Sequence, residues 1–370
     1  MSCKKYLLFF ILVIMAGQIL SCGCTGGFPG IKTDRYPSID ENSVTNEYIT
    51  VSHSFNFENK EITITTPVDK GIYDAAYNSD KSAYVNQDKL SSNNWSSDYY
   101  KSFINSAALT PLYDSILAQL RDIKTQMSLD SDRYAELIFA YVQSIPYKTD
   151  DIRTEPKFPV ETLYENSGDC DDKSLLAAAL LSAEGYDVSL LEFESEEHMA
   201  LGIKSLDYPY KNTGYAYVEI TDYNYPGWPV IEINNGNTIT SDPFIIPVGD
   251  GKSSYNSCDD VFYIYERMVG SEENAENLEP QITIKKSELE ELSGEIKAMS
   301  ERMEGLKRGG DITGYNSLVS DYNSLISEYN KKSSSLEALV DRYNNYVEIY
   351  NYIIKHRYDR KGVYEYLAYT

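Results

Sequence analysis

Residues 167–205 read SGDCDDKSLLAAALLSAEGYDVSLLEFESEEHMALGIKS, and residues 215–221 follow as YAYVEIT. Gly168 and Asp169 supply a turn and a cap. Asp171 and Asp172 place negative charge in the first turn of a helix, where the macrodipole favours it. Ser174 to Leu181 is apolar nearly all round, which predicts a buried helix, and Gly185 stands where a left-handed C-terminal cap belongs. Tyr186 to Phe193 reads as a strand. In HMALGIK, Met199, Leu201 and Ile203 point to one face and His198, Ala200 and Gly202 to the other. The two small residues beside His198 are expected to leave room there for the cysteine helix. In YAYVEIT, Ala216, Val218 and Ile220 form the apolar side, opposite Tyr215, Tyr217, Glu219 and Thr221. If the two strands pair, His198 and Glu219 share a face.

Those residue types in that order point to thiol chemistry. A thiol at a helix start feels the positive end of the dipole, which lowers its pKa below the free value of about 8.5. The flanking aspartates oppose that shift, so an imidazole must supply the activation. His198 is the candidate, with Glu219 orienting its ring and fixing its tautomer. The residues leave other readings open: Cys170 packed or bridged to Cys258, His198 at a strand edge, and Glu219 solvated.

GDCDDKSLLAAALL, HMALGI and YVEIT, in that order, resemble the core of the transglutaminase-like superfamily, whose papain-related fold is shared by transglutaminases and microbial cysteine proteases. The upstream FAYVQSIPYKTDD and FPVETLYENSGDC add to the resemblance, which spans roughly Tyr134 to Ile233, about a hundred of the 370 residues. It implies an α+β fold with a cysteine helix packed on an antiparallel sheet. It also implies Cys170 as nucleophile, His198 as base and Glu219 as third member. The family commonly has aspartate in a D-P-T setting at that last position, so Asp222 is the substitute candidate. Tyr147, Gln143 and Trp228 are candidates to line the substrate cleft. No cofactor is required for acyl transfer, but in calcium-dependent relatives a similar aspartate-flanked cysteine makes Asp169, Asp171 and Asp172 candidate Ca²⁺ ligands. The activity implied is acyl transfer on peptide amides: a cysteine protease or amidase with water, or a crosslinking transglutaminase with a lysine amine. Fold resemblance does not prove turnover, so an inactive surface scaffold is the alternative.

Lys4 and Lys5 followed by the apolar run from Tyr6 form a signal-peptide pattern over residues 1–21. Ile19-Leu20-Ser21-Cys22 looks like a lipobox with Cys22 as the lipidated residue; Cys24 has Ser21 at its −3 position. Export to the outer face of the membrane, with a lipid tether over 22–46, is therefore expected. The net charge of −24 argues against nucleic acid, whose phosphates such a surface repels. Tyrosine is abundant at 34 residues, which suits half-exposed packing and protein surfaces. Asn94-Trp95-Ser96 is a glycosylation sequon.

Residues 47–125 begin with YITVSHSFNF and KEITITTPV, which alternate around Glu58-Asn59-Lys60 as a β-hairpin with a short loop that includes His53 in its first strand. Helices are expected near Pro111 to Met127 and Asp132 to Gln143, and loops over Asn78 to Ser97, Lys148 to Asn166 and Asn234 to Ser254. The catalytic-type core is assigned to 126–270. A helical hairpin is assigned to 284–358: Ser287 with Glu290 as a capping box, an apolar run from Leu289 to Leu306, Gly309-Gly310 as the turn, then Tyr315, Tyr322, Tyr329, Leu336, Tyr343 and Tyr350 at heptad spacing. Its first arm is expected to be about half as long as the second. The tyrosine stripe is a candidate surface for a protein partner or self-association.

Overall fold

The computed structural model describes residues 34–85, 89, 95–149, 155–229 and 238–369. The leader, Cys22 and Asn94 lie outside them. No described helix is long and apolar enough to cross a membrane. The chain is mixed α+β with antiparallel sheets and a long C-terminal helical pair. It divides into two compact units, residues 1–262 with 358–361, and residues 263–357 with 362–370.

In the first unit, β1 (Tyr48–Phe57) and β2 (Lys60–Asp69) pair antiparallel as the expected hairpin, Phe57 opposite Lys60. Glu58 and Asn59 both take positive φ, 46° and 60°, as a tight hairpin turn between right-twisted strands requires. Asp69 ends β2 and caps α1 (Lys70–Tyr77), accepting from the Gly71 and Ile72 amides. Helices α2 (Trp95–Ile104), α3 (Thr110–Gln126) and α4 (Ser131–Gln143) follow. Every residue of α4 from Tyr134 to Gln143 is buried, because β1 covers one side and the cysteine helix the other. The expected loop 148–166 contains α5 (Pro159–Tyr164), with Pro159 in its first turn, where a missing N–H loses nothing.

The cysteine helix α6 (Cys170–Ala183) is buried all round, as its sequence requires, and ends at Gly185 with φ +83°. It packs on a four-stranded antiparallel sheet ordered β5-β4-β3-β6, formed by β3 (Val188–Phe193), β4 (His198–Lys204), β5 (Tyr215–Val218) and β6 (Phe244–Pro247). β6 lies in the stretch expected to loop. The helix takes the opposite sheet face from the one expected. Leu190, Met199, Leu201, Ile203, Ala216 and Val218 join its leucines in the main core. The alternate residues Leu191, Phe193, Ala200 and Tyr217 form a second apolar cluster with Ile239. The physical reason is area: a helix of leucines buries more against the branched face than against Ala200 and Gly202.

Helix α7 (Cys258–Arg308), whose residues from Tyr263 belong to the second unit, and α8 (Ile312–Lys355) form the helical pair, joined at Gly309-Gly310. Lys332 of α8 reaches Glu288 of α7 at 3.0 Å, as antiparallel arms require. The first arm is not short. At 51 residues against 44 it runs unbroken through Ser287 and even Pro280, with Leu278 and Ile282 buried on either side of the proline. Burial of that pair outweighs the one backbone bond the proline removes. A short helix α9 (Arg360–Ala368) ends the chain.

Candidate active site

Cys170 is the first residue of α6, and the turn before it is built tightly. Asp172 Oδ2 accepts the Asp169 amide at 3.2 Å and its Oδ1 accepts the Lys157 amide at 2.7 Å, so one carboxylate ties the helix start to the proline loop. A Cβ on Gly168 would lie 2.8 Å from that of Asp172, so only glycine fits. Cys170 is half-buried, and the Met199 amide, one residue beyond His198, lies close enough to favour its thiolate. The sulfur makes no hydrogen bond to the His198 ring itself. Burial, then Asp171 and Asp169, push the thiol well above its ordinary range, against the smaller help from Met199. The acids and the burial thus outweigh the helix dipole. Cys258 is also a free thiol, fully buried beside Ser205 Oγ at 3.5 Å, so the two cysteines are not bridged.

His198 opens β4, opposite Phe193 of β3, whose ring stacks on it. Its Nε2 lies 3.2 Å from Glu219 Oε2. Glu219 stands just past the end of β5 and is 9 % exposed. Its Oε1 accepts the Thr221 amide at 2.9 Å and hydroxyl at 2.6 Å, and its Oε2 accepts the Tyr217 hydroxyl at 2.7 Å. Burial opposes its charge, but the His198 and Thr221 hydrogen bonds prevail and hold it at about 2. Asp222 is exposed and caps its own turn through the Tyr223 amide, so Glu219 is the carboxylate at the ring. Gln143 is a buried staple, its Nε2 donating to the Glu219 and Asn224 carbonyls at 2.7 and 2.9 Å. Lys173, buried one turn into α6, donates to the Gln143 and Ile145 carbonyls, and burial lowers it to about 8. Tyr147 is 41 % exposed and bridges to Gly168 just before the cysteine, while Trp228 packs on Tyr225.

The carboxylates of Asp169, Asp171 and Asp172 lie within 4.8 Å of one another. Burial and mutual repulsion raise Asp171 well above the carboxylate range and Asp172 to about 7. Asp169 Oδ1 is buried with no hydrogen-bond partner, an open position for a cation. The Asp172 oxygens are already engaged by two amides. Two residues of the site carried no signal that the sequence reading used. Tyr217 touches both His198 and Glu219, and its place two residues before Glu219 on the same strand face was the available clue. Tyr100 of α2 is buried in the same core that Cys170 packs against. Comparisons with protein-family models, curated proteins and solved structures give no match.

Proposed function

We propose that this chain is a transglutaminase-like thiol enzyme that cleaves peptide amides, with Cys170 as nucleophile, His198 as base and Glu219 as the residue that orients it. The observation that carries the reading is the His198–Glu219 contact at 3.2 Å, with Cys170 at the start of the helix that packs on the His198 strand. Cys170 passes its proton to His198 Nδ1 as the sulfur bonds the carbonyl carbon, and the Cys170 N–H at the helix start meets the oxyanion. The C–N bond then breaks as His198 protonates the leaving amine. Water, deprotonated by the same ring, splits the thioester and restores the thiol. Because burial and acids keep the resting thiol neutral, proton transfer belongs to the substrate complex, where contacts loose in the free protein tighten. A lysine amine in place of water would give crosslinking. Calcium would meet Asp169 Oδ1 and Asp171, and its charge would favour the thiolate. The leader and Cys22 add export and a lipid tether.

The second reading, a catalytically silent surface scaffold presenting the tyrosine-lined hairpin, is favoured by the raised thiol pKa. Iodoacetamide labelling of the full chain separates the two, run with and without calcium. The enzyme reading expects Cys170 to label ahead of Cys258, labelling to slow in His198→Ala, and Cys170→Ala to abolish turnover of a peptide library. Equal, His198-independent labelling with no turnover supports the scaffold.

A further inference from the structure

Tyr217, His198 and Glu219 form a closed triangle of polar atoms. The Tyr217 hydroxyl donates to Glu219 Oε2 at 2.7 Å, its oxygen lies 3.1 Å from His198 Nε2, and that nitrogen is 3.2 Å from the same Oε2. The protons can be distributed in one way. Glu219 is ionised and has none to give. The single Tyr217 hydroxyl proton is donated in the hydrogen bond to the carboxylate, so both oxygens facing the ring are acceptors. A neutral imidazole must then carry its proton on Nε2, leaving the lone pair on Nδ1. The tyrosine ring is held independently of this, by Leu191, Phe193, Ala200, Ile239 and Tyr210. The other ionisable groups facing the triangle are Cys170, Tyr210 and, through Glu219, Lys173.

We propose that Tyr217 is a positioning residue, which holds the His198 proton on Nε2, shares the charge of Glu219, and so presents Nδ1 as the base for Cys170. This rests on the Cys170–His198–Glu219 reading of the site. The test is long-range ¹H–¹⁵N NMR of the full chain labelled in histidine. There are three histidines, so His198→Asn assigns the signal. The wild type is expected to show a single Nε2–H tautomer. In Tyr217→Phe the ring packing stays but Glu219 keeps its whole charge, so His198 should bind its proton about three- to tenfold more tightly. Peptide turnover in that variant should show kcat reduced about tenfold at unchanged KM, with the acid limb of the pH profile moved upward by the same factor. An Nδ1–H tautomer in the wild type, or a His198 titration in Tyr217→Phe that overlays the wild type, overturns the proposal. Glu219→Gln separates the two failures. If it alters the His198 titration and Tyr217→Phe does not, only the role of Tyr217 falls; if neither does, the triad reading falls with it.

Discussion

Glu219→Gln probes stability and chemistry with one atom changed. The carboxylate is drawn down from 4.5 to about 2 in the folded chain, a difference that corresponds to something on the order of 3 kcal/mol of stability. The group is buried, so little of that is lost to solvent screening. Oε1 accepts two donors from Thr221, and Oε2 faces the Tyr217 hydroxyl and His198 Nε2. Whichever way the glutamine amide is turned, its NH₂ meets two groups that were donating. Thr221 has a backbone N–H that cannot be reversed, so the NH₂ should settle on the ring side. Nε2 must then accept, and the imidazole proton moves to Nδ1, the nitrogen that should hold the lone pair.

Two results follow. Thermal unfolding at neutral pH should fall by roughly 6–12 °C, given about 2–4 °C per kcal/mol for a unit of this size. Peptide turnover should fall by about a thousandfold or more, the usual consequence of a wrong tautomer. The sign of the pH dependence is fixed by the depressed pKa: the contribution is complete above about 4.5 and lost as pH falls through about 2. The gap between wild type and variant should therefore close in acid. A variant with unchanged melting temperature at neutral pH and an unmoved His198 tautomer refutes the reasoning.

Asp169→Asn removes a charge opposing the Cys170 thiolate, so iodoacetamide labelling at about neutral pH should speed up severalfold, with the rate against pH as the measurement. Asp172, raised from 3.8 to about 7, favours its protonated form in the fold. Its contribution is present below about 3.8 and lost as pH rises through about 7; Asp169→Asn should flatten that slope in denaturant melts. Arg360 pairs with Glu136 inside the first unit and reaches Asp260 at 2.5 Å. Arg360→Ala should destabilise that unit by about 3–5 kcal/mol in urea unfolding, because it strands a buried carboxylate.

The elements legible in the sequence were those whose pattern is local. The β1–β2 hairpin follows from alternation on either side of Glu58-Asn59, and α6 from Asp169, the apolar run and Gly185. Misreadings arose where a distant surface decides. The loop expected over Lys148 to Asn166 contains a helix that begins at Pro159, and the first arm, expected to be about half as long as the second, runs on through Pro280 and buries Leu278 and Ile282. β6 has only four residues, and its pairing to β3 has no counterpart in its own spacing.

The same distinction holds inside the candidate site. The pairing of His198 with Glu219 follows from alternation in two neighbouring strands, which sequence displays. The side of the sheet on which α6 lies does not, because both faces of β4 are apolar and only the rest of the core chooses between them. That choice has a chemical consequence. With α6 on the Met199 face, Cys170 starts a helix packed on the His198 strand, and the acids that cap that helix raise its thiol. Asp172 cannot be exchanged without releasing the Lys157 and Asp169 amides it holds. The cap that places the sulfur therefore also makes it a weaker nucleophile at rest, and a group of positive charge brought to Asp169 and Asp171 is what would reverse the balance.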